Sequence, residues 1–216
     1  MHSLPARSRS FAFAISALLL LTHCKKDKNA DETTTDYSPM STGSTWTYQP
    51  NVGPSYTLTA TNKDTVALGR TYRVFTSNAG VNVYQARSAN EYYRFGTVPG
   101  LGGNGYETLY LKDNQDVNAF WQSTQNITVP GIPLPLAATL KYTIKEKGIT
   151  RTVSGKSFSD VIHVRLDITV GGFGSVGGGD FYYANKVGLI ESALLITAQG
   201  MELANASEVL TAYSIK

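Results

Sequence analysis

The chain has 216 residues, of which 42% are hydrophobic, with 19 basic and 16 acidic side chains and one cysteine. A single cysteine excludes an internal disulfide framework, and a formal charge of only +3 gives no basic patch to argue for nucleic-acid binding. The length suits one domain with a sizeable core.

The chain opens with Arg7 and Arg9, an apolar run over 11–21, and then Thr22-His23-Cys24. A membrane-spanning helix needs about 20 residues. The run is shorter than that and reads as the apolar region of a cleaved export signal. Leu20-Leu21-Thr22-His23-Cys24 resembles the lipobox of bacterial lipoproteins, with His23 where that family usually has a small residue. The resemblance implies a signal peptide over 1–23 and acylation, of the palmitate kind, at Cys24. Two acyl chains suffice for a stable anchor. Lys25-Lys26-Asp27 resembles the segment after the cysteine in Bacteroidota-type lipoproteins, and Lys25 is not the aspartate that retains lipoproteins at the inner membrane. The outer membrane is therefore expected, at its periplasmic face or the cell surface.

Residues 24–36 comprise the lipidated cysteine and a polar tether without large apolar side chains, which is expected to be disordered. Its twelve residues reach about 40 Å at most. Beyond the signal the basic and acidic side chains nearly balance, at 17 and 16. Residues 37–216 are expected to form a single β domain.

Period-two alternation runs through that domain. Ile162, Val164, Leu166, Ile168 and Val170 share one face, while His163, Arg165, Asp167 and Thr169 share the other. Leu140, Tyr142 and Ile144 repeat the pattern. Further strands are predicted at 45–49, 56–61, 71–77, 83–87, 91–95, 107–112, 181–184, 189–197 and 209–215. Turn signals such as Leu68-Gly69 and Ser154-Gly155 separate them. Only 114–125 and 201–207 are compatible with a short helix. Ten to twelve short strands at this spacing predict an all-β antiparallel meander.

Tyr37-Ser38-Pro39 with Gly43-Ser44-Thr45-Trp46-Thr47-Tyr48, and Phe181-Tyr182-Tyr183-Ala184 with Val187-Gly188-Leu189-Ile190, resemble a class of secreted bacterial lipoproteins, many of them uncharacterised. Some of these are similar to the curved open barrel of periplasmic lipoprotein carriers. The resemblance implies a curved sheet or incomplete barrel.

Signals for chemistry are weak. Residues 100–105 and 172–177 both satisfy G-x-G-x-x-G, but each leads into a predicted strand, whereas a dinucleotide fingerprint opens a helix. Both read as glycine hairpin loops. Past the signal, His163 is the one histidine, so a metal site built from Cys and His is not expected. His163, Arg165 and Asp167 share a face at a rise of roughly 7 Å, which makes direct pairing loose. A glycosidase needs two facing carboxylates. Glu91, Glu107, Asp113, Asp116, Asp160 and Asp180 are the candidates, and the sequence does not pair them. Residues 129–136 form an apolar, proline-broken segment, expected to plug a barrel end or to present a patch. Asp64-Thr65-Val66 resembles the short O-glycosylation signal of Bacteroidota-type exported proteins.

The aromatics are more suggestive. Neighbours on a strand face opposite ways, so one ring each of Tyr92/Tyr93 and Tyr182/Tyr183 should leave the core. Tyr92, Tyr93, Trp121, Tyr182 and Tyr183 are the candidate ligand contacts. The sequence therefore predicts a non-catalytic, membrane-anchored envelope lipoprotein without cofactor or metal, binding an apolar or lipid-like ligand in a curved sheet. The alternative is a surface module that meets glycan or a partner protein through exposed aromatics. An unfilled interior would mark the first, and a flat aromatic strip over a filled core the second.

Overall fold

The computed structural model describes residues 35–97, 105–128 and 134–216. Cys24, most of the first glycine run and most of the proline-broken segment lie outside the described residues, as does the signal at 1–23. Residues 34–216 form one compact unit.

Twelve strands are present: β1 (Thr45–Pro50), β2 (Tyr56–Ala67), β3 (Arg70–Ser77), β4 (Val83–Ser88), β5 (Glu91–Gly96), β6 (Tyr106–Lys112), β7 (Phe120–Ile127), β8 (Leu136–Val153), β9 (Lys156–Val170), β10 (Gly174–Ala184), β11 (Gly188–Ala198) and β12 (Met201–Ser214). All pair antiparallel in the order β6-β5-β4-β3-β2-β1-β12-β11-β10-β9-β8-β7. The predicted all-β meander and incomplete barrel are both found. Pairing of β1 with β12, Thr45 opposite Ser214, wraps the meander round. The two edges, β6 and β7, are neighbours in sequence and remain an open seam. Two β7 side chains bridge that seam to β6 carbonyls: Trp121 Nε1 donates to Leu109 O at 2.6 Å, and Gln125 Nε2 to Glu107 O at 3.2 Å.

Among the described residues there is no helix. Both helix-compatible segments are otherwise: 120–125 belongs to β7, and 201–207 begins β12. The latter contains good helix formers, yet Gln199 and Gly200, at φ 51° and 78°, make a two-residue hairpin that folds β12 back along β11. Cross-strand pairing overrides local propensity here. The second glycine run is only partly a loop, because Gly174–Ala184 is continuous strand. A methyl group on Gly178 would overlap the Leu166 carbonyl oxygen, so β9 approaches β10 as only glycine permits.

The alternation predicted for β8 and β9 holds. Leu140, Ile144, Ile162, Val164, Leu166 and Ile168 are buried in one cluster. A second cluster gathers Trp46, Leu58, Phe75, Phe158, Ile190 and Leu210 around β1 and its neighbours. In an up-and-down sheet successive connections alternate between the two ends. The turns at 89–90, 113–118 and 185–187 therefore share one end, and those at 51–55, 171–173 and 199–200 share the other.

The N-terminal segment closes the first of these ends. Thr35 and Asp36, ahead of the expected domain start at Tyr37, already bond to the barrel. Thr35 Oγ1 donates to Asp113 Oδ2 at 2.9 Å, and Lys186 N to Asp36 O at 2.6 Å. The Tyr37 hydroxyl donates to Asp160 at 2.9 Å, and Ser38 Oγ to Gln85 at 2.6 Å. Tyr37 is 2% exposed and stands edge-on to Tyr92.

Candidate functional site

Inside the barrel, alternation on β5 turns Tyr92 and Arg94 inward and leaves Tyr93 and Phe95 outside. Tyr48, Tyr110, Tyr142 and Tyr183 bring further phenols inward from β1, β6, β8 and β10. These rings do not fill the space. A cavity of about 310 Å³ lies toward the end opposite Tyr37, lined by Val52, Phe181, Leu189, Leu194 and Ala206 among others. Two smaller cavities of about 70 Å³ adjoin the tyrosines. Arg94 lines all three.

Arg94 is chemically the odd member of this lining. Its Nε is wholly buried and meets no hydrogen-bond partner. The guanidinium lies 5.7 Å from the Tyr110 ring centroid, a long cation–π distance. Glu208 lines two of the same cavities, but its carboxylate accepts the Tyr56 hydroxyl. Burial raises the phenols of Tyr48, Tyr110, Tyr142 and Tyr183 above their ordinary value. They remain neutral O–H groups across the physiological range. Thr108 and Tyr142 hydroxyls add polarity beside Arg94, in a cavity whose lining includes no carboxylate.

Sequence reasoning missed Arg94. The signal was present, since Arg94 has the parity of Tyr92. Both faces of β5 are aromatic, however, so alternation alone does not say which face is inner.

The five candidate aromatics divide between the two sides. Tyr92 is inside but occupied, accepting from Tyr37 N and donating to Asp113 at 2.7 Å. Tyr183 lines two cavities. Trp121 stacks on Tyr142, with 5.9 Å between centroids, and serves the seam. Tyr93 and Tyr182 face outward, and neither forms a bare strip. The Arg70 guanidinium covers Tyr93 at 3.5 Å. Tyr182 lies between the His163 ring at 4.3 Å and the Arg151 guanidinium at 3.4 Å.

The outer face of β8–β11 carries an ion-pair ladder. His163 meets Glu146 at 3.0 Å and Asp180 at 2.8 Å. Arg165 meets Asp180 at 2.8 Å and Asp167 at 3.1 Å. The expected loose spacing of Arg165 and Asp167 is closed by the reach of the arginine side chain. Burial alone would raise the Asp180 carboxyl, but hydrogen bonds from His163 and Arg165 hold it below its ordinary value.

Of the acids considered for catalysis, all but Asp116, whose carbonyl accepts from Ala119 N in the β6–β7 turn, have side-chain partners. Asp113 accepts from Thr35, Asn90 and Tyr92, and Asp160 accepts from Tyr37 and Asn185. These two gather around Tyr37 and hold the N-terminal segment. Glu107 accepts from Arg70 and Tyr72, while Glu91 takes Lys112 and Tyr93. Among the described residues no three His, Cys, Asp or Glu side chains group as metal ligands.

Fold and site together define an open-seam, twelve-stranded barrel with a partly empty, tyrosine-lined interior. Its architecture is similar to the crystal structure of a "putative lipoprotein" from Parabacteroides distasonis ATCC 8503, at 15% identity and a TM-score of 0.51, covering 83% of this chain and 99% of that one. Two further structures match less closely. A "putative exported protein with YmcC-like fold" from Bacteroides fragilis NCTC 9343 has 10% identity and a TM-score of 0.39, over 82% of this chain and 97% of that one. The "hypothetical lipoprotein YmcC" of Escherichia coli K12 has 13% identity and a TM-score of 0.42, over 80% and 85%. No protein-family model matches the sequence, and no curated protein matches it.

Proposed function

We propose that the protein is a membrane-anchored envelope lipoprotein that binds an apolar or lipid-like ligand inside its barrel and catalyses no reaction. The observation that carries this reading is the unfilled interior. A cavity of about 310 Å³ lies at the lower end of small-molecule sites, and a protein interior of this size is otherwise close-packed. Cys24, acylated after removal of 1–23, supplies the anchor. Similarity of fold to a protein described as a lipoprotein supports an envelope location, and the outer membrane is the expected one.

The barrel itself does not have the surface of a membrane-spanning one. Such barrels face lipid with an apolar band, whereas β8–β10 present Glu146, His163, Arg165, Asp167 and Asp180 outward. The apolar alternation of β9 points in. The glycan-binding alternative has less support, because the outward Tyr93 and Tyr182 are covered by arginines.

The test is displacement fluorimetry on the soluble unit, residues 35–216, with uncharged 1-N-phenylnaphthylamine. Saturable binding at one site per chain, blocked by Leu194→Trp in the cavity wall, is expected. Absence of saturable binding by a folded domain would sink the proposal.

A further inference from the structure

We propose that Arg94 is an anion-recognition residue and that the interior ligand is an amphiphile with one negatively charged head, seated at this guanidinium. The proposal rests on the interior-binding reading above and names the chemistry of its ligand.

A buried arginine keeps its charge, because its pKa is too high for burial to neutralise it. Burying a charge is costly unless it is paired and hydrogen-bonded. Arg94 departs from that rule at one atom: the residue is half-buried, and its Nε is buried without a hydrogen-bond partner. Among the described residues the other guanidinium groups are paired: Arg70 with Glu107, Arg73 with Asp64, Arg87 with Asp36, Arg151 with Glu191 and Arg165 with Asp180. Arg87 sits at the barrel end over the Tyr92 ring, and the other four pairs lie on the outer face, in reach of water. Among the described arginines, Arg94 is thus the one without an ion pair to a carboxylate, and it borders three cavities.

The surroundings suit an anionic oxygen group. Thr108, Tyr142 and Tyr183 line the cavity they share with Arg94, where the Thr108 hydroxyl also donates to Arg94 O at 3.3 Å. Guanidinium N–H groups and neutral hydroxyls converging on one space are what a carboxylate or phosphate ester binds. The 310 Å³ cavity leads from the same guanidinium to Phe181, Leu189 and Leu194, which suits an apolar tail. Glu208 sets the charge limit. Its carboxylate lines two of the cavities and repels a ligand with excess negative charge, so a singly charged head fits best.

The test compares decanoate with 1-decanol, two probes with the same tail, by displacement of 1-N-phenylnaphthylamine from residues 35–216. Decanoate is expected to bind about tenfold or more tightly than decanol, the factor a charge-assisted hydrogen bond supplies. In Arg94→Met that preference should fall to about one while decanol binding persists. Arg94→Lys should keep part of it. A second readout is the melting temperature of the ligand-free domain. Removing an unpaired buried cation should leave it unchanged or raise it, whereas a structural arginine would lower it. Equal binding of decanoate and decanol by the native domain would overturn the anion assignment and leave the apolar cavity standing. Failure of both to bind would overturn the two readings together. Complete displacement of decanoate by excess inorganic phosphate would overturn the amphiphile and identify a free anion as the ligand.

Discussion

Leu68 sits at the first corner of the β2–β3 hairpin with φ 50°, followed by Gly69 at 79°, and its side chain is 74% exposed. The left-handed region costs an ordinary L-residue roughly 1–2 kcal/mol, and an exposed leucine recovers little of that through packing. Asparagine tolerates this conformation and is preferred at such corners. Leu68→Asn should therefore stabilise the domain by about 0.5–1 kcal/mol, read as a higher urea midpoint at unchanged slope; an equal or lower midpoint would show that the leucine packs against something. The turn itself was legible in Leu68-Gly69, because glycine in the second corner needs no tertiary context. Arg94 was not legible for the opposite reason. Its meaning depends on which face of β5 is inner, and Tyr92, Tyr93 and Phe95 make both faces aromatic. Only the pairing of β5 between β4 and β6 settles the matter, by placing Arg94 opposite Gln85 and Thr108.

At the scale of elements, strands with one wet face were readable and strands defined by their partners were not. β9 announces itself through Ile162, Val164, Leu166 and Ile168, and the second half of β12 was legible at 209–215, whereas β7 and the first half of β12 have mixed faces and become strands through pairing with β8 and β11. The glycines of β10 misled in a different way. They suggest a loop, yet Gly178 serves a close approach of β9 within the sheet. Gly178→Ala should cost about 3 kcal/mol, the upper range for overpacking, because the added methyl meets backbone rather than a side chain that can rotate. Thermal melts check this, and a loss under 1 kcal/mol would show that the sheet relaxes. The outer ladder makes a second prediction. The folded-state carboxyls of Asp180 and Glu91 are held low, Glu91 chiefly by its hydrogen bond from Lys112 and then by Tyr93. A depressed carboxyl contributes stability that is complete above its unfolded value, about 4, and disappears as pH falls through the folded one. The melting temperature should therefore drop steeply below about pH 4, and the Asp180→Asn, Glu91→Gln double variant should show a flatter acid limb. Superimposable acid limbs would remove these two groups from the pH response.

For the whole molecule, the decisive events are the two that join distant parts of the chain: closure of β1 on β12, and docking of the N-terminal segment on the barrel end. Neither has a local signature, since a contact between Trp46 and Tyr213 or between Tyr37 and Asp160 is made across more than half of the chain. What the sequence does show is a polar stretch giving way to Tyr37-Ser38-Pro39, and the structure explains that change. Tyr37 fills the barrel end against Tyr92, its hydroxyl reaches Asp160, and the neighbouring Thr35, Asp36 and Ser38 bond to Asp113, Lys186 and Gln85. Residues 35–38 are thereby joined to the barrel by a packed ring as well as by hydrogen bonds. Tyr37→Ala should cost about 3–5 kcal/mol, the value for emptying a buried aromatic site. Tyr37→Phe keeps the ring and loses one hydrogen bond, at about 1 kcal/mol, because Asp160 still receives Asn185. Urea unfolding of both variants separates packing from hydrogen bonding at this end. If Tyr37→Ala unfolds at the native midpoint, the segment only lies on the barrel and does not close it. If it unfolds early while Tyr37→Phe stays near native, the ring is the closure of the barrel end opposite the 310 Å³ cavity.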